Sequence, residues 1–314
     1  MFDILTFGDL CVDLIVSGGD VMPQFGQVEK LVGDYTLEMG GSCAIFACQA
    51  AKLGLTVAIL GHVGEDAFGE LILARLNGSG VDTRFVTVDP ALKTGLGIAL
   101  CQGNDRAILT FLGTINVLAP SDISDDLLAS ARHLHHGSHF LHTQLRPAIP
   151  SIFTRACQLG LTISLDTNWD PDDRWQGVAD LLPMVDVFLP NEQEARRIVT
   201  GDQESGISDL GLVVQELHRL GAPLIAVKRG AEGALVSDGQ QIVQQVVKPV
   251  LGGDSIGSGD SFDAGFLSGW LRGLSLAESL RIGCACGGAV AAKIGGVAGQ
   301  PRWDDVGRGE ASCP

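Results

Sequence analysis

Leu251-Gly252-Gly253-Asp254-Ser255-Ile256-Gly257-Ser258-Gly259-Asp260-Ser261-Phe262-Asp263-Ala264-Gly265-Phe266 is the stretch that decides how this 314-residue chain is read. A glycine-dense loop runs into an amphipathic helix whose Phe262, Phe266 and Trp270 fall on one stripe. Small residues at Gly257, Ser258 and Gly259 let successive backbone N–H groups converge at the helix N-terminus, where the macrodipole favours an anion. Asp260 stands at the same end, placed to take the proton of a hydroxyl attacking a phosphate held there. A plainer reading makes Asp260 an N-cap and the glycines loop punctuation.

Other glycine-loop chemistries fare worse. Gly253-Asp254-Ser255-Ile256-Gly257 has the GxSxG spacing of a hydrolase nucleophile elbow, but such enzymes need a histidine later in the chain. The seven histidines, at 62, 133, 135, 136, 139, 142 and 218, all precede Ser255. The loop also lacks the GxxxxGK[ST] and GxGxxG spacings.

Working outward, apolar β-rich runs at 3–8, 56–61, 133–137, 162–166, 185–189 and 224–228 alternate with helical patterns at 43–53, 66–77, 147–159, 191–199 and 206–220. This alternation predicts an α/β fold: three layers, a mostly parallel sheet with helices on both faces, and ligands at the carboxyl ends of the strands. Two extended stretches break it, at 11–38 and 94–112, and are expected to pair as a small β lid. The main domain is then 1–10, 39–93 and 113–300, and residues 301–314 form a polar tail.

The composition is 46% hydrophobic and 18% charged, with a net charge of -16. That acidity opposes broad contact with nucleic acid or anionic lipid, yet leaves room for a nucleotide held by backbone amides. Eight dispersed cysteines without a CxxC pair suit a reducing cytoplasm, and no leader or membrane-spanning run is evident. Cys284 and Cys286, two apart on a helix, point away from each other. The run His133 to His142 holds five histidines, but strand alternation splits them between two faces, so packing is favoured over a metal site.

The run 254–266, DSIGSGDSFDAGF, closely resembles the signature D-[ST]-x-G-A-G-D-x-F-x-A-G-F of ribokinase-like, phosphofructokinase-B-type carbohydrate kinases, with Ser258 for the usual alanine. The resemblance extends over about 3–300. It implies that the amides of 257–260 stabilise a transferring phosphoryl group, that Asp260 activates the acceptor hydroxyl, and that Asp254 lies toward the substrate. Met39-Gly40-Gly41-Ser42-Cys43-Ala44 looks like the N-terminal double-glycine signature, and Gly8-Asp9 with Asp13 looks like the family's opening, so Asp13, Gly40 and Gly41 are expected to bind sugar. Gly113-Thr114-Ile115-Asn116 resembles the loop that closes on substrate. Asp166-Thr167-Asn168 resembles the D-x-N segment, Asn191-Glu192-Gln193-Glu194 the N-x-x-E motif associated with Mg²⁺, and Val227-Lys228-Arg229-Gly230 with Gly233 the strand-turn beneath ATP.

Asn168, Lys228, Gly230 and Gly233 are thereby expected at the nucleotide, and Asn191 and Glu194 at the metal, since Mg²⁺ prefers oxygen ligands and often reaches phosphates through water. A monovalent cation near the anion hole belongs to the family's range, as does a homodimer through the lid. One departure stands out: Ile45 occupies the position where the family often has a sugar-contacting asparagine. The implied reaction is phosphoryl transfer from Mg-ATP to a sugar or sugar acid. A nucleoside kinase on the same scaffold is the alternative enzyme, with Tyr35 and Phe46 as aromatic candidates, and a catalytically silent nucleotide or sugar sensor is the non-enzymatic one.

Overall fold

The computed structural model describes residues 1–103, 105–201, 209–248 and 255–307. In chain order the strands are β1 (Ile4–Phe7), β2 (Cys11–Ser17), β3 (Asp34–Gly40), β4 (Val57–Gly64), β5 (Asp82–Asp89), β6 (Gly95–Gln102), β7 (Asp105–Phe111), β8 (His133–His136), β9 (Thr162–Leu165), β10 (Val187–Phe188), β11 (Ile225–Lys228), β12 (Ala234–Ser237) and β13 (Ile242–Gln245). The helices are α1 (Ser42–Lys52), α2 (Ala67–Ser79), α3 (Asp125–Leu128), α4 (Ile149–Gln158), α5 (Val178–Leu181), α6 (Glu192–Thr200), α7 (Leu210–Arg219), α8 (Ser258–Trp270), α9 (Leu276–Ala291) and α10 (Trp303–Val306).

Nine strands form the main sheet in the order β13-β12-β11-β10-β9-β8-β1-β4-β5, parallel except where β12 and β13 pair antiparallel at one edge. Its strands are apolar on both sides because both faces are covered. Along β1, Ile4 joins a core with α1, α2, α8 and α9, while Leu5 and Phe7 join the opposite core with α4 and α7. Val187 and Phe188 divide between the same two cores. Each expected main-sheet strand appears. The other edge strand, β5, was not foreseen, because Asp82-Thr-Arg-Phe-Val-Thr-Val-Asp89 is half-exposed and mixes charges into its alternation.

The second sheet, β3-β2-β6-β7, grows from both expected lid stretches, with β3 running on to Gly40. Its register sets Asp13 beside Glu38 and Gly97, and Ile15 beside Thr36 and Ala99. Ile15 and Ala99 pack on Ile256, so this face looks onto the loop before α8. The alternate residues, among them Leu14, Val16, Tyr35, Ile98, Leu109 and Phe111, share the outer face. Over residues 300–307 the chain stays packed: Gln300 donates to the Ile45 carbonyl, Gln49 donates to the Pro301 carbonyl, and Arg272 lies over the Trp303 ring.

Among the described residues no helix is long and apolar enough to cross a membrane, and the seven cysteines described are free thiols. Gly233 closes the β11–β12 turn at φ 87°, and a Cβ there would lie 1.9 Å from the Gln245 carbonyl oxygen on β13. Gly233→Ala therefore has to push the edge strand away. Its expected cost is about 3 kcal/mol, read as a lowered urea midpoint against the unchanged chain.

Candidate active site

The carboxyl ends of β1, β8, β9 and β11 and the first turns of α1 and α8 converge on one place. Asp9, just past β1, accepts from the Ser42 amide at 2.7 Å and the Cys43 amide at 3.1 Å, which supplies the cap that Gly41 lacks at the head of α1. Ser138 donates its hydroxyl to the same carboxylate at 2.9 Å. Asn168 accepts from the Ser138 amide and donates to the Ser42 hydroxyl at 2.9 Å. Ser42 in turn hydrogen-bonds Asp260. A continuous polar line thus joins Asp9, Ser138, Asn168, Ser42 and Asp260 across three strand ends and two helix heads.

Beneath it lies a buried charge cluster. The Lys228 ammonium, at the end of β11, donates to Asp166 at 2.6 Å and to Asp263 at 3.1 Å. Burial opposes its charge, but the two carboxyls outweigh that and raise its pKa. Asp166 is pushed up by burial and pulled further down by Lys228 and its hydrogen bonds, with a net lowering. Asp263 is raised well above the usual carboxylate range, first by burial. Glu194 goes up to about 8 through burial and the charge on Asp166.

Asp260 is 8% exposed and rises to about 6, through burial first and then the neighbouring Asp166 charge. It leads α8, whose N-cap Gly257 is left-handed at φ 71° and forms no side-chain cap. The helix therefore opens with amides that no side chain covers from the cap position, next to a carboxyl that titrates near neutrality. An anion and a hydroxyl proton are the two things such an arrangement accepts.

Asp13, on the lid, is nested between glycines. A Cβ at Gly40 would lie 2.3 Å from its carboxylate, and one at Gly97 would lie 2.5 Å from Oδ1. Gly41, at φ 88°, answers to the other aspartate, with a Cβ there 2.4 Å from the Asp9 carbonyl oxygen. Asn116 sits at the turn after β7, donating to the Thr143 hydroxyl and accepting from the Gln144 amide. Asn191 and Glu194 form a reciprocal capping box at the head of α6, each side chain accepting from the other's amide. Gly230 is open on all sides, and Asp254 lies outside the described residues.

Lys228, expected at the nucleotide, has its ammonium turned inward, with a Gly259 Cβ position 3.6 Å above it. Ser42, Asp263 and Gly97 were missed as site residues. Only Gly97 left a signal, a glycine breaking the alternation of β6. The histidines of 133–142 are buried and held neutral by that burial. His133 and His135 share the Ser164 hydroxyl and face α1 and α8, His135 stacking on Phe46 at 3.7 Å. His136 turns the other way, against Phe7 and Phe153. Among the described residues no three His, Cys, Asp or Glu side chains are grouped to hold a metal.

The model of the pfkB family carbohydrate kinases matches residues 1–303. The chain belongs to that family. An uncharacterized sugar kinase of Archaeoglobus fulgidus is 30% identical over 257 residues, spanning 80% of this chain and 98% of that one. The ribokinase of Arabidopsis thaliana is 29% identical over 286 residues, spanning 89% and 74%. A solved structure of Arabidopsis thaliana ribokinase complexed with ribose and ATP superposes with a TM-score of 0.80 at 23% identity over 97% of each chain, which shows the ribokinase-like fold. This pfkB protein is accordingly a carbohydrate kinase, with a phosphotransferase chemistry that uses an alcohol acceptor.

The nest around Asp13 yields a test. We propose that Asp13 holds an acceptor hydroxyl, so Gly97→Ala is expected to raise the acceptor KM by roughly tenfold or more, one displaced hydrogen-bonding carboxylate being worth about 1.5–3 kcal/mol. On an Asp13→Ala background the same change is expected to do nothing. Steady-state kinetics on the four proteins reads both outcomes.

Proposed function

We propose that this pfkB kinase transfers the γ-phosphoryl group of Mg-ATP to a hydroxyl of a sugar or sugar acid, with Asp260 as general base. The observation that carries the reading is Asp260 itself: a buried carboxyl at the uncapped head of α8, with a pKa moved up to about 6. A base is most useful when its pKa lies near the working pH, so that it is ionised yet still basic enough to take a proton. The acceptor oxygen attacks the γ-phosphorus, its proton passes to Asp260, and ADP leaves. The amides of Gly257, Ser258, Gly259 and Asp260 would receive the charge on the transferring group, with Lys228 below Gly259 adding positive potential. Asp13 and Asn116 would hold acceptor hydroxyls.

Asn191 and Glu194 suit a hydrated Mg²⁺ rather than direct ligation, because each is engaged by the other's backbone. The cluster of Asp166, Asp260, Asp263 and Glu194 has one ammonium among four carboxyls, and that excess is what a divalent cation would offset. When bound, Mg²⁺ neutralises charge on the phosphate oxygens.

We further infer a homodimer through the lid. Its outer face carries Leu14, Val16, Tyr35, Ile98, Leu109 and Phe111 without a charge among them, and Tyr35, Leu109 and Phe111 are 68%, 59% and 51% exposed. A contiguous apolar sheet face of this kind favours a second copy of itself. Leu109→Asp is expected to halve the mass measured by sedimentation equilibrium; an unchanged mass would refute the interface.

Two measurements test the base. The first is ADP release from Mg-ATP across neutral sugars, sugar acids, phosphosugars and nucleosides. It should give an acceptor-dependent signal whose kcat/KM rises with pH through an inflection near 6, while Asp260→Asn loses roughly 10²-fold or more of kcat. Signal only with nucleosides would replace sugar by nucleoside as acceptor. The second is stability. A carboxyl whose pKa is raised on folding favours the folded state when protonated, and that contribution is lost as pH rises through about 6. At pH 7 Asp260→Asn is therefore expected to be more stable than the unchanged chain, by up to roughly 3 kcal/mol, with the gap vanishing below pH 4.

A further inference from the structure

The lid touches the main domain where α8 begins. Ile256, 7% exposed, packs into Ile15 and Ala99 of the lid with Cys101 alongside. One residue earlier, the Ser255 hydroxyl accepts from Arg106 of β7 at 2.7 Å. These are contacts made by consecutive loop residues with three different lid strands. On its other side the same loop is pinned: a Cβ at Gly257 would lie 2.6 Å from Gly296 Cα and 3.0 Å from Ile45. Gly295, next in that turn, lies under the Glu38 stem, where a Cβ on it would be 3.1 Å from the Glu38 Cγ, and Glu38 of β3 is held by Nε and Nη2 of Arg75. The lid therefore reaches Gly257 by two routes, directly through 255–256 and indirectly through Glu38 and the 295–296 turn.

We propose that Ile256 and Arg106 are positioning residues for phosphoryl transfer: the seated lid grips residues 255–257 and thereby sets the left-handed turn at Gly257 from which the cradle of 257–260 springs. The proposal rests on the reading of those amides as the anion hole. Gly257 has no side chain of its own to fix its turn, so the torsion is determined by what holds its neighbours. Lifting the lid would expose Ile256 and release Ser255 together, and the amides aimed at the phosphoryl group would lose their common direction. Asp13 rides on the same lid strand as Ile15, two residues away, so an acceptor that draws Asp13 down also seats Ile15 on Ile256.

The test uses the full chain and two readouts. Hydrogen exchange followed by mass spectrometry compares the unchanged protein with Ile15→Ala, a change made on the lid. Peptides covering 255–262 are expected to exchange roughly tenfold faster, in step with those of β2 and β6, because coupled segments open as a unit. Faster exchange confined to the lid strands would overturn the proposal. Arg106→Gln, on an exposed edge strand, is the second variant should Ile15→Ala fail to fold, and the same pattern is expected of it.

In turnover with the acceptor found by the panel, Ile256→Ala is expected to lower kcat by roughly tenfold or more, with Ile256→Val recovering most of it. The ATP Kd measured without acceptor should stay within about twofold. An unchanged kcat would overturn the positioning role. If the unchanged chain phosphorylates nothing in the panel, the proposed acceptor class fails alone, and the exchange experiment still decides the grip of the lid on 255–257.

Discussion

A buried ammonium organises the whole site. Lys228 leaves the end of β11 and is held by Asp166, from the end of β9, and Asp263, from the first turns of α8. Removing one member of such a cluster leaves an unpaired charge out of water, so the three elements are tied to one another. The arrangement is also unbalanced. With one cation among four carboxyls, Asp166 keeps its charge, Asp263 and Glu194 are driven toward the protonated form, and Asp260, a turn above, is left in the field of Asp166. The basicity of Asp260 is thus a consequence of how the strand ends are bolted to α8, and it exists before any ligand arrives.

Much of this was readable in advance, for identifiable reasons. Apolar runs alternating with amphipathic helices can be buried only as a covered parallel sheet, and the main-sheet strands and the helices at 42–52, 67–79, 149–158 and 258–270 follow that rule. The start of α8, with Asp260 in its first turn and small residues before it, was legible because a helix N-terminus depends on local sequence. Ser42 and Asp263 were not. Their roles depend on side chains 126 positions apart in the case of Ser42 and Asn168, and 35 apart in the case of Lys228 and Asp263, and no periodicity records such meetings. Lys228 illustrates the same limit: a lysine after a strand reads equally as a phosphate contact or as a buried counter-ion, and only its neighbours decide.

The lid shows how a strand pattern is seen while its sidedness is hidden. Alternation in 11–17 and 95–102 announces strands, but both faces of this sheet are in use. One is turned to Ile256, the other is apolar and outward. An alternating strand with one wet face would read identically. The asymmetry emerges only when the four strands are laid in register, with Leu14, Val16, Tyr35, Ile98, Leu109 and Phe111 on the outer face and Asp13, Glu38, Thr110 and Arg106 on the inner one.

The double glycine acquires a physical meaning different from contact with substrate. Gly40 makes room for Asp13, and Gly41 makes room for the backbone of Asp9, so each glycine is demanded by a different aspartate. Neither can carry even a methyl group without moving a carboxylate or the strand end that bears it. Ile45 fits the same logic. Where relatives often place an asparagine, its side chain lies against Gly257 and Gly296, filling the space beneath the cradle. Its apolar side chain packs under the left-handed turn that opens α8. The lid strand that bears Asp13 also bears Ile15, which packs on Ile256 just before that turn.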